Sequence, residues 1–501
     1  MKNKKIVWGA FLLIFSPLAG VSQTFPHLSF QKFYDNGADD RPRSIVATND
    51  GHLVLGGNSY FPDSSKACSN VWVLKVSESG ERLWEQEITL DGCEELRDMS
   101  ACPDGGVLFA GVADTPLEHT EAGDEPYRAD IFVGKLSAAG ELEWLKHFGG
   151  SQSEQATGIV QGLNEEFMIA GISHSKDLDV GANQGMSDIW ALKVNTSGEL
   201  RGSYPAGEGG QELAFSISVC ENGDFLLAGS STSGDRGQAW EQPLLLRIAP
   251  DGSLRWMRSI PMPLGGRAQG AAEASDGRIF VSGIQRSADG RGDFWWARLT
   301  AEGKKITSQA LSSSGDEGWL GIVPCDPEGF LLSGYADAGP QAKARGGEDF
   351  WLLRLDGKGN LVWRNTFGGP DHERAVDAVS FSPGVFYALG EKKNTFGENP
   401  ARKDRDFWLL RIEEYPSDSI QADIFVRAKE YRINRDTPTR FRANSPYGER
   451  YLWDFGDGST STEAEPLKSY EFPGMYEITL TVYVNEHCSR TLKMERLLEV
   501  W

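Results

Sequence analysis

The sequence predicts an all-β chain whose larger part is a seven-bladed β-propeller, followed by a smaller β-rich module. Three observations predict it. A glycine-marked unit recurs seven times, each unit carries several strand signals, and the last unit lacks a strand that the N-terminal segment can supply. The composition agrees, since 58 Gly and 15 Trp in 501 residues suit a turn-rich β protein with a large core.

Seven short apolar runs end in the marker glycines Gly57, Gly111, Gly171, Gly229, Gly283, Gly334 and Gly390, which stand 54, 60, 58, 54, 51 and 56 residues apart. Such a period means repeated sheets stacked around an axis, and function is then sought in the loops. In the third unit, residues 157–161 and 167–172 read as two strands joined by a tight turn. Most other units place Asp50-Gly51, Asp104-Gly105, Asn222-Gly223 or Asp276-Gly277 in that turn. These pairs suit the positive φ of a two-residue hairpin. A third strand spans 188–194, and after a turn at 195–198 a fourth begins at Glu199.

The third strand recurs at 70–76, 130–136, 242–248, 293–299, 349–355 and 406–412. Nine residues beyond its basic residue comes the fourth-strand aromatic, Trp84, Trp144, Trp256 or Trp363, with Gly202 and Thr307 as departures. Ten residues further on comes Glu94, Glu154, Glu212, Glu317 or Glu373, with Gly266 as the exception.

The seventh unit stops at Tyr415-Pro416 without a fourth strand. At the other end of the chain, Leu28, Phe30, Tyr34 and Asp40 copy the spacing of Leu361, Trp363, Phe367 and Glu373. The N-terminal segment is therefore expected to be the outer strand of the last blade, closing the ring and removing a sheet edge.

After about Ile420 the glycine period ends. Trp453-Asp454-Phe455-Gly456-Asp457-Gly458 is followed by Tyr470-Glu471-Phe472-Pro473-Gly474-Met475-Tyr476 and an alternating run over 478–484. This pattern resembles the polycystic-kidney-disease (PKD) domain, and the resemblance implies an immunoglobulin-like β-sandwich. Trp453 and Phe455 should fill its core, and Asp454 is read as bonding a turn rather than a metal. The expected organisation is a signal peptide over 1–22, the propeller over 25–414 and the PKD domain over 420–501.

Runs such as Phe148-Gly149-Gly150 and Asp349-Phe350-Trp351-Leu352-Leu353-Arg354-Leu355 are similar to repeats of secreted, PKD-bearing bacterial proteins. That resemblance implies a Gram-negative source and type IX export. Many such proteins carry a sorting domain behind the PKD module, where this chain has Val500-Trp501, so surface anchoring by that route is not expected.

Lys2, Lys4 and Lys5 precede an apolar stretch over 6–18 and the small residues Gly20-Val21-Ser22, as in a secretory leader. No other apolar run approaches the ~20 residues of a membrane span. The expected location is secreted or at the cell surface, the periplasm being an alternative. The net charge of −22 disfavours nucleic acid as a partner. Of six cysteines, Cys102, Cys220 and Cys325 sit nine residues before alternate marker glycines and read as small buried residues. Cys68 and Cys93 flank one predicted hairpin and could form a clip, while Cys488 has no obvious partner.

Trp72, Trp190, Trp295, Trp351 and Trp408 share one strand register, which argues for packing between blades. Trp240 and Trp319 break the pattern and are the candidate binding residues. The recurrent acids, and with them Asp130, Asp188, Asp293, Asp349 and Asp406, read as holding loops and crossovers. No zinc-ligand pair, nucleophile elbow or phosphate loop is present, and no cofactor or metal is expected.

The second-to-third-strand loops, with 12, 18, 16, 12, 9, 14 and 15 residues, vary while the strand pattern holds. That is the expectation for a recognition surface grafted on a scaffold. The function expected is a non-enzymatic binding or adhesion protein presenting this face to protein or carbohydrate, with the PKD module as spacer or interaction unit. The alternative is a propeller lyase or hydrolase acting on extracellular polysaccharide. A quinone-dependent dehydrogenase is a weaker third reading, suggested only by Gly-x-Leu-x-Trp turns.

Overall fold

A computed structural model of the chain describes residues 24–61, 69–89, 93–116, 127–233, 240–288, 290–311, 317–325, 329–337, 348–369, 371–393, 405–416, 420, 422–428, 431–445, 448–484, 489–494 and 496–501. No helix occurs among them, so none is long and apolar enough to cross a membrane. The expected leader lies outside the described residues. The chain forms two compact units, Pro26–Glu414, and Phe25 together with Tyr415–Trp501.

Among the described residues, the larger unit holds seven four-stranded antiparallel sheets. Their first strands are Asp39–Ala47, Glu94–Ala101, Glu154–Gln161, Glu212–Val219, Gly266–Glu273, Glu317–Pro324 and Glu373–Ser382, numbered here as sheets 1 to 7. Each first strand lies against the next, and that of sheet 1 also lies against that of sheet 7, so the series is cyclic. Sheet 3 follows the expected anatomy, with strands Glu154–Gln161, Glu166–Ser173, Asp188–Asn195 and Leu200–Ala206 in sequence order. In sheet 7 the outermost strand is Thr24–Tyr34, bonded to Arg405–Pro416. The spacing of Phe30, Tyr34 and Asp40 had predicted that pairing.

Apolar clusters fill the space between neighbouring sheets. One joins Leu108, Ile131 and Val133 of sheet 2 to Ile159, Ile169, Trp190 and Leu192 of sheet 3. The third-strand tryptophans Trp72, Trp190, Trp295, Trp351 and Trp408 are all buried, as their common register implied. Three of the fourth-strand aromatics make a second repeated contact, each with the turn between the third and fourth strands of the next sheet, while Trp363 donates to Glu414 Oε1 at 2.6 Å. Trp84, Trp144 and Trp256 donate from Nε1 to the carbonyls of Ala138, Thr196 and Ala301 at 3.0, 3.0 and 3.2 Å. A Cβ on Gly140 or Gly198 would stand 2.7 or 2.8 Å from Trp84 or Trp144, and both glycines have positive φ.

The two departures are filled from elsewhere. In sheet 3 the Tyr204 ring folds back over Gly202 and also covers Gly252 of sheet 4. Behind Thr307, the Gly359 turn meets Phe280 and Trp296 instead. Between sheets 7 and 1, Tyr34 Oη donates to the Gly80 carbonyl at 2.8 Å, the counterpart of the tryptophan contacts.

The first hairpins correct one expectation. In sheets 1, 2, 4 and 5 the loop has three residues, not two. Thr48 N–H donates to the His52 carbonyl and Gly51 N–H to the Thr48 carbonyl, and only the glycine has positive φ, +78° at Gly51. The same bonds recur at Cys102–Gly106, Cys220–Asp224 and Ala274–Arg278. A type I turn followed by a left-handed glycine produces this loop, so the Asp-Gly pair marks its last two positions. Sheet 3 has a two-residue form, with Asn164 and Glu165 at φ 60° and 57°, and in sheet 7 Pro383 and Gly384 join Ser382 to Val385.

The smaller unit is a set of short strands. Thr460–Ser461, Arg450–Asp454, Thr479–Tyr483 and Ser489–Lys493 form one sheet, and Asp423–Val426, Thr439–Asn444 and Leu467–Lys468 another. Trp453, Phe455, Phe441, Tyr470 and Leu480 form its core, and Phe25 joins them with 1% of its surface exposed. Asp454 Oδ1 accepts the Gly456 N–H at 2.9 Å, the turn bond expected of it.

Candidate functional site

Every first strand carries an irregularity at the same level: between Pro42 and Ser44, Leu96 and Asp98, Ala156 and Gly158, Ala214 and Ser216, Ala268 and Gly270, Trp319 and Gly321, and Ala375 and Asp377. An extra residue there frees a ladder N–H and turns side chains toward the space the first strands enclose. In sheets 1 and 2 the extra residues are Arg43 and Arg97.

The freed amides are met by carboxylates from neighbouring sheets. Asp377 Oδ2 accepts Ile45 N–H at 2.9 Å, Asp98 Oδ2 accepts Ile159 N–H at 2.9 Å, and Ser44 Oγ donates to Asp98 Oδ1 at 2.8 Å. Burial pushes the Asp98 carboxyl up to about 6. Burial, with the Asp98 charge added, pushes Asp377 up to about 7. Both keep some accessible surface although protein atoms desolvate them heavily, as side chains do when they line an enclosed passage.

The recurrent acids hold crossovers. Glu154, Glu212 and Glu373 are fully buried, and each accepts the N–H of the residue four before it: Gly150 at 2.8 Å, Glu208 at 2.9 Å and Gly369 at 3.0 Å. Ser173 and Ser231 hydroxyls donate to Glu154 and Glu212. Asp40 takes the same place in sheet 1, with Asn36 N–H and Ser59 Oγ as donors, and burial raises it to about 7. Asp188 clamps its own loop by accepting Gln184 and Gly185 N–H. These carboxylates are committed to the backbone, and no cluster of metal-ligating side chains occurs among the described residues.

At the strand ends where these acids sit, arginines lie over aromatic rings. Arg41 covers Tyr60 at 4.3 Å, Arg374 covers Tyr335 at 4.7 Å, Arg267 covers Phe215 at 5.7 Å and Arg286 covers Trp240 at 4.1 Å. The second-to-third-strand connections leave from the same edge, as in the passage from Ser173 to Asp188. Trp240, singled out in the sequence, stands here with 45% of its surface exposed. Trp319 lies in the first strand of sheet 6, paired with Gly334, and its side chain is outside the described residues. Of the two candidates, the structure thus describes only the Trp240 side chain.

Two further expectations change or find support. The second of the second-to-third-strand connections, read as an 18-residue loop, is partly strand, since Val107–Pro116 and Tyr127–Leu136 pair as far as Pro116 and Tyr127; residues 117–126 lie outside the described residues. Cys102, Cys220 and Cys325 are free and buried, and burial pushes their thiols up to about 12, 12 and 11. Cys93 is disulfide-bonded, while Cys68 and Cys488 lie outside the described residues.

Arg43 is the residue that sequence reasoning missed. It makes no hydrogen bond or ion pair among the described residues, and its Nε is buried without an acceptor. Burial and then the Arg97 charge hold its proton affinity below the ordinary arginine value, against the pull of Glu95 and Glu391. Of the other arginines of this edge, Arg41 and Arg405 have Asp39, Arg97 has Glu95, Arg267 has Glu241 and Arg374 has Glu348 as carboxylate partners, while Arg286 lies over Trp240.

Residues 426–496 match the PKD domain family. Among curated proteins, the pre-pro-metalloprotease PrtV of Vibrio cholerae is 27% identical over 177 residues, 33% of this chain and 19% of that protein. The regulatory protein FlaEY of Caulobacter vibrioides is 25% identical over 179 residues, 34% of this chain and 19% of that protein. The chain thus spans about a fifth of the length of these relatives. Among solved structures, hydrazine synthase of Kuenenia stuttgartiensis is similar with a TM-score of 0.45 at 10% identity, over 71% of this chain and 94% of that one. A neuraminidase-like protein from A/bat/Guatemala/164/2009 is similar with a TM-score of 0.39 at 11% identity, over 78% and 94%.

Proposed function

We propose that this chain is an exported, non-enzymatic binding protein. Its larger unit is a seven-bladed β-propeller closed by the N-terminal strand. The loop-side edge of that unit carries the ligand surface, and the PKD domain acts as spacer or second interaction module. Residues 1–22 serve as a leader, and the protein works outside the cytoplasm, secreted or at the surface of a Gram-negative cell, on a protein or carbohydrate ligand.

The observation that supports this reading most is the contrast between two sets of side chains. Three of the recurrent buried carboxylates, Glu154, Glu212 and Glu373, each give an oxygen to a backbone amide. What stays available at the loop-side edge is guanidinium over aromatic surface, with Trp240 and Arg286 at its most exposed point. Such surfaces give flat apolar contact beside a fixed charge, which suits recognition. 

The test is an array of glycans and peptides probed with the purified protein and with Trp240→Ala. Binding that drops at least tenfold in the variant, with an unchanged melt and no new glycan ends released, supports the reading. Release of reducing or unsaturated ends by the wild type overturns it in favour of a polysaccharide lyase or hydrolase.

A further inference from the structure

We propose that Arg43 and Arg97 form an oxyanion site at the loop-side end of the first strands, and that it seats a carboxylate or sulfate carried by a polysaccharide. The inference rests on the binding reading above and names the charge and class of the ligand.

The bulges of sheets 1 and 2 place two guanidinium groups next to one another, where like charges repel. Arg97 has the Glu95 carboxylate at 2.8 Å, and Tyr60 Oη donates to the other oxygen of Glu95 at 3.2 Å. Glu95 is thus already shared. Arg43 has no such partner, and its Nε is buried without an acceptor. Glu391, the other carboxylate that faces it, is paired with Arg405 at 3.4 Å and also faces Arg41 and Arg374.

A partly desolvated guanidinium without an acceptor is costly for a fold to keep. An arriving oxyanion would remove that cost by accepting from Arg43 and easing its repulsion with Arg97. A guanidinium fork matches the two oxygens of a carboxylate or sulfate, so the match is geometric as well as electrostatic. The chain as a whole carries −22 and repels anions at long range, so a local cation must supply the attraction. Sugar is favoured over acidic peptide because Tyr60, Tyr335 and the exposed Trp240, each with an arginine over one ring face, line the same edge with aromatic surface.

Calorimetric titration at low salt with polygalacturonate, dextran sulfate, neutral dextran and poly-glutamate decides the matter, using the full chain. Wild type is expected to bind polygalacturonate or dextran sulfate, whichever anion fits, and neutral dextran at least tenfold more weakly. Raising salt should weaken the anionic binding. Arg43→Gln should lose at least tenfold in affinity, while its melting temperature stays level or rises, because an unsatisfied cation has gone. Arg43→Lys should keep part of the affinity.

A structural role for Arg43 predicts the reverse pattern, a lower melt with unchanged affinity, and that result overturns the site. Equal, Arg43-dependent binding of poly-glutamate overturns the sugar assignment. Should neutral dextran bind as well as the charged polymers, through Trp240 and not Arg43, the oxyanion site fails while the binding reading stands. Absence of binding to both anionic polymers also overturns the site.

Discussion

The strand Thr24–Tyr34 is expected to stabilise two units through two different residues, and the two effects can be separated. Phe25 is 1% exposed and sits in the core of Tyr415–Trp501. Nine residues on, Tyr34 is 5% exposed, packs with Trp72 and Leu74 of sheet 1, and bonds the Gly80 carbonyl. Truncating a buried aromatic costs about 3–5 kcal/mol. For a unit of roughly 85–90 residues that is much of a stability of about 4–13 kcal/mol. At about 4–8 °C per kcal/mol, Phe25→Ala should lower the melt of the smaller unit by well over ~10 °C. The same loss from Tyr34→Ala falls on a unit more than four times as long and should move its melt by only about 5–10 °C. Tyr34→Phe removes only the hydrogen bond, about 1 kcal/mol.

Calorimetry gives the size of each shift, and hydrogen exchange read by mass spectrometry gives its location. Phe25→Ala should speed exchange in Thr439–Asn444 and Thr479–Tyr483, whereas Tyr34→Ala should speed it in Ser69–Val76 and Arg82–Ile88. If Phe25→Ala opens the sheet 1 strands and leaves 479–483 protected, the division of labour along this strand is wrong.

Other outcomes follow from single contacts. Gly198→Ala should cost more than the usual ~1 kcal/mol strain of a positive φ, because its Cβ would stand 2.8 Å from the Trp144 ring; a urea midpoint measures this. Asp377 is held at about 7 against about 4 in an unfolded chain, so the stability it contributes is complete below about pH 4 and is lost as pH rises through 7. Asp377→Asn should accordingly flatten the fall in stability between about pH 4 and 7, by at most about 1.4 kcal/mol per pH unit, and an unchanged slope would refute this account. Maleimide at pH 7.5 should leave Cys102, Cys220 and Cys325 unlabelled in the native protein and label all three in urea, since burial keeps these thiols protonated. Asp454→Asn should cost no more than about 1 kcal/mol, and calcium or chelator should not move the melt of either form.

Much of the fold was legible because a repeat prints the same physical requirement seven times. The glycine markers, the third-strand tryptophans and the acids ten residues after the fourth-strand aromatics each recur at fixed spacing, and the structure gives each one role. The outer strand of sheet 7 was legible for the same reason, since Phe30, Tyr34 and Asp40 repeat a spacing found elsewhere. Substitution across space was not legible. Nothing near Gly202 or Thr307 announces that Tyr204 folds back or that Trp296 reaches the Gly359 turn, because those contacts depend on side-chain reach. The interplay of Asp98 and Asp377 joins residues far apart in the chain through a bulge that leaves no sequence mark. Arg43 looks like any surface arginine until the carboxylates around it are seen to be taken by others. Trp240 and Trp319 were both singled out because they break the pattern, which is the one signal a repeat offers for a residue it does not need, and Trp240 is exposed.

The earliest strand of the chain is also the one whose hydrogen-bonding neighbour arrives last. Roughly 370 residues separate Tyr34 from Arg405. At about 5–20 residues per second of synthesis, the segment 24–34 waits on the order of 20–75 s for the strand it pairs with, and longer for the core that takes Phe25. During that interval six sheets can form in order from local hairpins, while this segment remains an unclaimed β-strand carrying Phe25, Phe30, Phe33 and Tyr34. Such a segment presents unpaired backbone groups, and a delay in its capture keeps the polypeptide open-ended until Arg405–Pro416 has emerged.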